Sequence, residues 1–193
     1  MSRPVTEVLQ PSTERSLSLL RQAALVVGAS FFVALCARIT IPLPFTPVPL
    51  TLQNFGVLLV GLTLGSRRGF AALMLYLAEG AFGLPVFNPT GPGGLLQLLG
   101  PTGGYLMVYP MVAAVAGLVM ERGAATFARA AIAGLLGEIV LFAGGLGWLF
   151  VLTHSFSTTI LYGLYAFIFG EIIKVMLAAA VGSRMRRTSK VQS

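Results

Sequence analysis

The sequence has few of the residues that enzymes use for catalysis or for metal binding. Its 193 residues include one cysteine, one histidine and six acidic side chains. The patterns GxxxxGK[ST], HExxH and GxSxG do not occur, so a P-loop, a zinc-protease site and a serine-hydrolase elbow all lack their parts. The lone cysteine, Cys36, can form no intrachain disulfide. The sequence therefore predicts a protein that is not an enzyme, with no catalytic residues, no cofactor and no metal site.

Charge is also scarce, and this scarcity indicates the class of protein. Only 10% of the residues are charged and 56% are hydrophobic, whereas soluble domains carry about 25% charged residues. The mean hydropathy is +0.87. The apolar stretches show neither the polar stripe of a helix on a soluble core nor the alternation of a barrel strand. We therefore predict an all-α integral membrane protein that forms one domain in the lipid bilayer.

Proline, glycine and charged residues divide the apolar sequence into six segments, which predict six transmembrane helices. The second and third are short against the roughly 20 residues that a straight span needs. Residues 1–18 are predicted to form a polar cytoplasmic tail before an uncleaved first span, and residues 184–193 a basic cytoplasmic tail. Between them, residues 19–183 form the membrane domain. The predicted spans are residues 19–41, 50–64, 70–84, 105–120, 128–152 and 159–181.

The net charge of +7 is explained by topology and does not indicate a nucleic-acid partner. Eleven of the 13 basic residues lie before the first segment or within its first three residues, between segments two and three, between segment four and the first two residues of segment five, or after segment six. Basic residues are enriched in cytoplasmic loops. The distribution predicts that both termini are cytoplasmic and that the uncharged loops face outward.

Two of these outward loops are rich in proline and glycine. Residues 41–50 read IPLPFTPVPL, and residues 84–105 read LPVFNPTGPGGLLQLLGPTGGY without one charged side chain. Prolines remove backbone donors and glycines permit φ > 0, so both loops are predicted to be non-helical. They are expected to fold over a binding pocket as lids. The alternative is an apolar re-entrant loop with a structural role alone.

Ionisable residues inside apolar spans are functional candidates, because burying a charge in the bilayer costs several kcal/mol unless it is paired or hydrated. Glu171 and Lys174 share one helical face at i and i+3. They can hold a polar ligand together or neutralise each other. Glu79 and Glu138 are predicted to form hydrogen bonds between helices, and Arg38 is predicted to lie at the membrane interface.

Small residues of the first segment offer a face for close helix packing. This face can receive a helix of a partner protein or pack inside the same bundle, and the sequence leaves both alternatives open. The residues concerned are Ala24, Gly28, Ser30, Ala34 and Ala37.

Five motifs in a fixed order resemble those of the BioY family, the biotin-specific substrate-binding (S) components of energy-coupling factor (ECF) transporters. The resemblance extends from the first span to the end of the sixth. The motifs are IPLP…VPLTLQ (residues 41–53), GSRRG (65–69), GLPVF (83–87), LLGPTGGY (98–105) and GEIIK (170–174).

The resemblance implies an S-component fold whose outward loops close over biotin, in the cytoplasmic (inner) membrane of a bacterium. It also implies two kinds of partner, a transmembrane coupling (T) protein and cytoplasmic ATPases, which dock partly on the small residues of the first span. The chain departs from the family motif at one position, Glu171, where the motif has aspartate. The added methylene changes the distance of any contact between this carboxylate and the ligand head. The substrate-binding residues implied by motif position are Asn88, Glu171, Lys174, Gln53, Tyr105 and, as an apolar wall, Phe87.

Two alternatives to a biotin-binding subunit remain open at this point. The chain can be an S component for another water-soluble vitamin. It can also be a small intramembrane enzyme that uses Glu79, Glu138 or Glu171 as an acid or base, although the absent catalytic motifs disfavour this hypothesis.

Overall fold

The computed structural model describes residues 10–191, and the side chains of residues 16–188. This part of the chain is almost entirely helical, with one short antiparallel ribbon. A five-residue π-helical turn, Leu161–Tyr165, separates the last two helices. The helices are α1 (Gln10–Arg38), α2 (Gln53–Leu64), α3 (Ser66–Ala81), α4 (Gly94–Leu99), α5 (Gly103–Glu121), α6 (Phe127–Thr153), α7 (Phe156–Ile160) and α8 (Ile168–Val191), and the strands are β1 (Thr40–Ile41) and β2 (Leu50–Thr51).

Four stretches of helix in the described chain are long and apolar enough to cross a membrane, which agrees with the prediction of a helical membrane protein. α2 and α3 are shorter, with 12 and 16 residues. At 1.5 Å per residue, α2 is about 18 Å long against a hydrocarbon core of about 30 Å. The predicted count of six spans therefore stays a prediction. The four candidate spans are Ser16–Arg38, Gly103–Glu121, Phe127–Thr153 and Phe156–Thr188.

The short helix α2 lies at the centre of the bundle. It packs against α1, α3, α5 and α8, and Val57, Leu58 and Leu62 are fully buried. A helix that is apolar on all sides and surrounded by other helices needs no polar face. Polar side chains at its start, Gln53 and Asn54, are consequently placed in the interior of the bundle.

The connection between α2 and α3 is a single residue, Gly65. Its φ is 86°, in the left-handed region that glycine adopts readily, and a Cβ here would clash with Glu121 Oε1. Glu121 at the end of α5 accepts hydrogen bonds from Ser66 N (2.7 Å) and Ser66 Oγ (2.8 Å). This carboxylate satisfies a backbone donor of the first turn of α3, which begins at Ser66 within the basic stretch that separates the second and third predicted spans.

Several boundaries differ from the predicted ones. α1 begins at Gln10, within the predicted N-terminal tail, and α8 continues to Val191, through the predicted C-terminal tail. In α1, proline at position 11 falls in the first turn, where its missing N–H has no intrahelical partner to lose. In α8, Arg186 donates to Leu62 O (3.0 Å) and Arg187 to Ala125 O (2.7 Å). These bonds fix the last turns of α8 against the ends of neighbouring elements.

The two proline- and glycine-rich loops are more ordered than predicted. In the first, Thr40 pairs with Thr51 and Ile41 with Leu50, so β1 and β2 form an antiparallel ribbon. In the second, the expectation of no helix is wrong over Gly94–Leu99, which forms α4. The sequence LLQLL between Gly94 and Gly100 contains no proline, so nothing in it prevents a single helical turn and a half.

Candidate functional site

A cavity lies beneath the two loops, between the first turns of α2 and the helices α5, α6 and α8. Its volume is about 50 Å³. Four of the six residues predicted for the site line it, and apolar side chains of α6 and of the segment before α8 complete the wall. The lining residues are Val48, Pro49, Thr51, Gln53, Asn54, Asn88, Thr102, Tyr105, Tyr109, Leu141, Phe142, Phe167 and Glu171.

Asn54 is the hub of a buried polar cluster beside this cavity. Its Nδ2 donates to Glu138 Oε1 on α6 (2.6 Å) and to Glu171 Oε2 on α8 (2.7 Å). Asn54, Glu138 and Glu171 are each less than a tenth exposed. One amide group thus joins α2, α6 and α8 and uses both of its N–H donors on carboxylates.

Two atoms of this cluster have no hydrogen-bond partner in the structure. They are Asn54 Oδ1 and Glu138 Oε2, both fully buried. The orientation of the Asn54 amide follows from chemistry, because its NH₂ group must face the two carboxylates and its oxygen must therefore face away from them. An unsatisfied buried acceptor costs about 1–3 kcal/mol. The cluster can therefore accept further hydrogen bonds from a ligand with N–H or O–H donors.

Lys174 supports the cluster from one turn further along α8. Its Nζ lies 2.6 Å from Glu171 Oε1, and both side chains are 9% exposed. This confirms that the two residues share a helical face, and it is the one ion pair among the side chains that the structure describes. Lys174 does not line the cavity. Its observed role is to hold and neutralise Glu171, while direct contact with a ligand stays a prediction.

Asn88 brings the second loop to the cavity. Its Oδ1 accepts from Thr90 Oγ1 (2.7 Å), and its backbone carbonyl accepts from Gln97 Nε2 on α4 (3.4 Å). The cavity wall includes the Asn88 side chain. With Oδ1 occupied by Thr90, the Nδ2 group is the part of Asn88 that can donate to a ligand.

A buried relay connects α2 to the second loop. Gln53 Nε2 donates to Tyr76 Oη (2.7 Å), and Tyr76 Oη donates to the carbonyl of Val86 (2.9 Å). Phe87 packs edge-on against the Tyr76 ring, with centroids 5.4 Å apart, and a Cβ on Gly80 would clash with it. Phe87 is therefore a core residue that anchors the loop and does not line the cavity; its predicted contact with a ligand stays a prediction.

Tyr105 connects the cavity to the π-helical turn before α8. Its hydroxyl donates to the carbonyl of Gly163 (2.9 Å) inside that turn, and Thr46 of the first loop donates to the carbonyl of Tyr162 (2.8 Å). π-helical turns leave backbone groups free of the regular helical pattern and often lie at functional sites. The turn thus joins the first loop to the helix that carries Glu171.

The other intramembrane acid, Glu79, lies apart from the cluster. Its Oε2 accepts a hydrogen bond from Ser30 Oγ of α1, so the prediction of a bond between helices is confirmed for Glu79. The same prediction is confirmed for Glu138, which binds Asn54. Arg38 is exposed at the end of α1.

Sequence reasoning named four of the lining residues but not the hub. Two polar residues, Gln53 and Asn54, follow the first loop, and the sequence motifs indicate only Gln53 as a site residue. Glu138 was assigned to helix packing. The number of carboxylates in the apolar spans was the signal for both Asn54 and Glu138. Two buried acids with one lysine between them need a further hydrogen-bond donor, which a buried asparagine can supply.

Comparison with known proteins identifies the family of this chain. The family model described as "BioY family" matches residues 7–191. The chain belongs to the BioY family.

Relatives of this BioY-family chain are named as biotin transporters. The biotin transporter BioY of Thermotoga maritima is 36% identical over 163 residues, covering 84% of this chain and 95% of the relative. BioY of Rhizobium etli is 37% identical, covering 80% and 86%. The probable biotin transporter BioY of Pyrococcus horikoshii is 38% identical, covering 72% and 82%.

A solved structure has the same fold as this BioY-family chain. It is a crystal structure of the S-component for biotin from an ECF-type ABC transporter. The TM-score is 0.79 at 27% identity, and the match covers 88% of this chain and 93% of the other. The prediction of an S-component fold in a membrane-embedded helical protein is thereby confirmed.

Proposed function

We propose that this chain is the membrane-embedded subunit that binds biotin for uptake, and that a separate module supplies the energy. The observation that carries the proposal is the buried Asn54–Glu138–Glu171 cluster beside a cavity under two loops, in a chain whose relatives are named biotin transporters. A bicyclic urea that carries an aliphatic acid has both the N–H donors that the cluster can accept and an apolar body.

The cavity suggests how biotin lies. One ureido N–H donates to Asn54 Oδ1, an unsatisfied acceptor of a residue that lines the cavity. The other donates to Glu171, which also lines the cavity and whose carboxylate oxygens have lone pairs beyond those used by Asn54 and Lys174. The apolar ring and chain lie along Leu141, Phe142 and Phe167. The ligand's carboxylate points toward the loops. Asn88 Nδ2 then donates to the ligand from the loop side, while Lys174 acts through Glu171.

The two loops act as lids in this proposal. A second cavity of about 220 Å³ lies between them and shares Pro49, Asn88 and Thr102 with the ligand cavity. The shared residues form a path from the loop surface to the polar cluster. Because the inner cavity is only about 50 Å³, the loops and Asn88 move outward to admit the ligand and close over it.

The decisive experiment is calorimetric titration of the purified protein in detergent with biotin, thiamine and riboflavin. Saturable, stoichiometric binding of biotin alone is expected. Binding of another vitamin without biotin would establish the alternative S component. Absence of vitamin binding together with turnover of a membrane lipid would establish an enzyme, a hypothesis that the names of the relatives already disfavour.

The partners in this proposal are a T protein and ATPases, and α1 offers the docking face. Its small residues divide into two groups. Ser30, Ala34 and Ala37 are buried inside the bundle. Ala24 and Gly28 are exposed and line an apolar groove. The intramolecular packing alternative therefore applies to the first group and partner docking to the second.

Gly28→Leu tests the docking face. A Cβ at Gly28 would meet no atom within 4 Å, so the variant is expected to fold and to bind biotin normally. It is expected to lose coupled uptake in cells that express the T protein and ATPases. Ala34→Leu on the buried face is the contrasting variant, because it is expected to disturb the bundle itself.

Six spans with both termini in the cytoplasm complete the proposal, in the inner membrane of a bacterium. Arg67, Glu121 and Arg186 all lie at the end of the bundle opposite the two loops. Cysteine placed at Thr90 is expected to react with a membrane-impermeant maleimide in whole cells, and cysteine placed at Arg67 only after lysis. The reverse pattern would overturn the orientation.

A further inference from the structure

The basic end of the bundle contains a recess that the biotin site does not use. We name its outer part the head pocket, a cavity of about 440 Å³ lined by Leu17, Ser18, Arg21, Gln22, Leu25 and Arg68. Arg21 and Gln22 come from α1, and Arg68 comes from the first turn of α3. Two guanidinium groups from different helices thus border one polar cavity.

Next to the head pocket lies an apolar groove along α1. This tail groove has a volume of about 280 Å³ and is lined by residues of α1, α2 and α8, including Leu25, Phe32, Leu59 and Met185. Leu25 belongs to both spaces. No charged side chain lines the tail groove. A polar cationic recess and an apolar groove therefore adjoin each other at Leu25.

Neither arginine of the head pocket is bonded to another described part of the protein. Among the described side chains, Arg21 and Arg68 make no hydrogen bond and no ion pair, and both are exposed. Glu121 is a carboxylate that lines a neighbouring cleft together with Arg67 and Arg68. Glu121 accepts hydrogen bonds from Ser66, and among the described side chains no carboxylate forms an ion pair with Arg21 or Arg68.

The geometry points to a binding site for one anionic phospholipid, with its phosphate between Arg21 and Arg68 and an acyl chain in the tail groove. Guanidinium groups are suited to bind phosphate oxygens. Clustered arginines at the cytoplasmic edge of a membrane protein attract anionic lipid. Free phosphate shares the head chemistry, but only a lipid also fills an apolar groove.

The dimensions fit this occupant. From Arg21 to Phe32 the chain rises 11 residues along α1, which is about 16 Å at 1.5 Å per residue. One leaflet of the bilayer supplies about half of a hydrocarbon core of about 30 Å. A lipid whose phosphate is held at Arg21 therefore places its acyl chain along the whole tail groove.

The lipid site overlaps the docking face proposed for the T protein, since Ala24 and Gly28 line the tail groove. In the isolated subunit the groove holds lipid, and a docking helix has to displace it. The experiment below uses the isolated subunit, so its result does not depend on whether the coupling proposal or the biotin proposal is correct.

The test is native mass spectrometry of the purified subunit, released from detergent after titration with 1-palmitoyl-2-oleoyl phosphatidylglycerol or with the matching phosphatidylcholine. We expect one phosphatidylglycerol to be retained at least about tenfold more tightly than phosphatidylcholine. Arg21→Gln with Arg68→Gln is expected to remove that preference. The matched control, Arg122→Gln with Arg184→Gln, loses the same charge from other exposed positions. This control is expected to keep the preference for phosphatidylglycerol.

Two further measurements make the outcome unambiguous. Glycerol 3-phosphate at the same concentration is expected not to displace the lipid; equal displacement would show that the site binds phosphate alone and would overturn the lipid assignment. Biotin titration of both double variants verifies folding. Equal retention of the two lipids by the unmodified protein, or equal loss of preference in both double variants, would refute a specific site at Arg21 and Arg68.

Discussion

Two carboxylate sites between the helices of the same bundle differ in how their acids are bonded and in what lies beside them. Between α1 and α3, Glu79 accepts from one donor, Ser30 Oγ. Between α2, α6 and α8, Glu138 and Glu171 share the single amide of Asn54, and two acceptor atoms remain without partners. The second site also borders the ligand cavity and includes the ion pair between Glu171 and Lys174. Glu79 does not line that cavity and forms no ion pair with another described side chain.

The comparison shows how a structural use of a buried acid is distinguished from a binding use. The hydrogen bond between Ser30 and Glu79 positions two helices, and neither residue lines the ligand cavity. Unsatisfied acceptors have a cost of about 1–3 kcal/mol each in the empty protein, and a ligand that donates to them recovers this energy on binding. The five variants below test the distinction, beginning with the largest expected effect.

Lys174→Met is expected to have the largest effect, because it leaves Glu171 charged and unpaired in the interior. Breaking a buried ion pair by removing one partner costs about 3–5 kcal/mol. We expect a loss of stability of this size, read from thermal unfolding in detergent, together with weaker biotin binding. Unchanged affinity and stability would mean that Lys174 does not support the cluster.

The double variant Glu171→Leu with Lys174→Met separates folding from binding. Replacing both members of a buried ion pair by apolar residues is often neutral or stabilising. The double variant is therefore expected to recover most of the unfolding temperature lost by Lys174→Met. Biotin affinity is expected to stay low, because the carboxylate that accepts the ligand's N–H is missing. Recovery of both properties would show that Glu171 does not contact the ligand.

Asn54→Leu is expected to have the next largest effect. It removes the donor that Glu138 and Glu171 share and the free Oδ1, so biotin affinity is expected to fall by about 1–3 kcal/mol. Thr63→Val is the matched control on α2, because Thr63 Oγ1 bonds only backbone carbonyls of its own helix, at Leu59 and Val60. Equal affinity in the two variants, measured by titration, would remove Asn54 from the ligand site.

Tyr76→Phe tests whether the second loop is positioned by the buried relay. Loss of the hydroxyl frees Gln53 Nε2 and the Val86 carbonyl, while the ring contact with Phe87 is retained. We expect biotin affinity to fall by about 1 kcal/mol, mainly through faster dissociation, because Asn88 follows directly in the loop. A stability loss without any change in the dissociation rate would assign Tyr76 to the core alone.

The sequence was sufficient for the helical membrane class and, through five motifs, for the family. The sequence was also sufficient for the approximate positions of the helices. The length of an apolar segment and the glycines and prolines that end it can be read from neighbouring residues alone. α4 was missed because a turn and a half between prolines is too short to show a period. The continuation of α8 depends on Arg186 and Arg187 reaching carbonyls at the ends of other elements, which no local pattern reveals.

The site was harder to predict for the same reason. Glu171 and Lys174 are near neighbours in sequence, so their spacing predicted their contact. Asn54 and Glu171 are separated by 117 positions and Asn54 and Glu138 by 84. Whether Gln53 or Asn54 points toward the carboxylates depends on the rotation of α2 about its axis, which is set by packing on the helices around it.

Ser30→Ala is expected to have the smallest effect and sharpens the comparison between the two acid sites. It removes the one side-chain bond to Glu79, but Glu79 is only partly buried and a net hydrogen bond contributes about 0.5–1.5 kcal/mol. We expect a stability loss of about 1 kcal/mol or less and no change in biotin affinity, measured by unfolding and titration of the same preparation. An affinity loss of more than about threefold, or roughly 0.7 kcal/mol, would show that the contact between α1 and α3 is coupled to the cavity. The distinction between a structural and a binding carboxylate would then fail, since Ser30 and Glu79 would influence the ligand without lining its site.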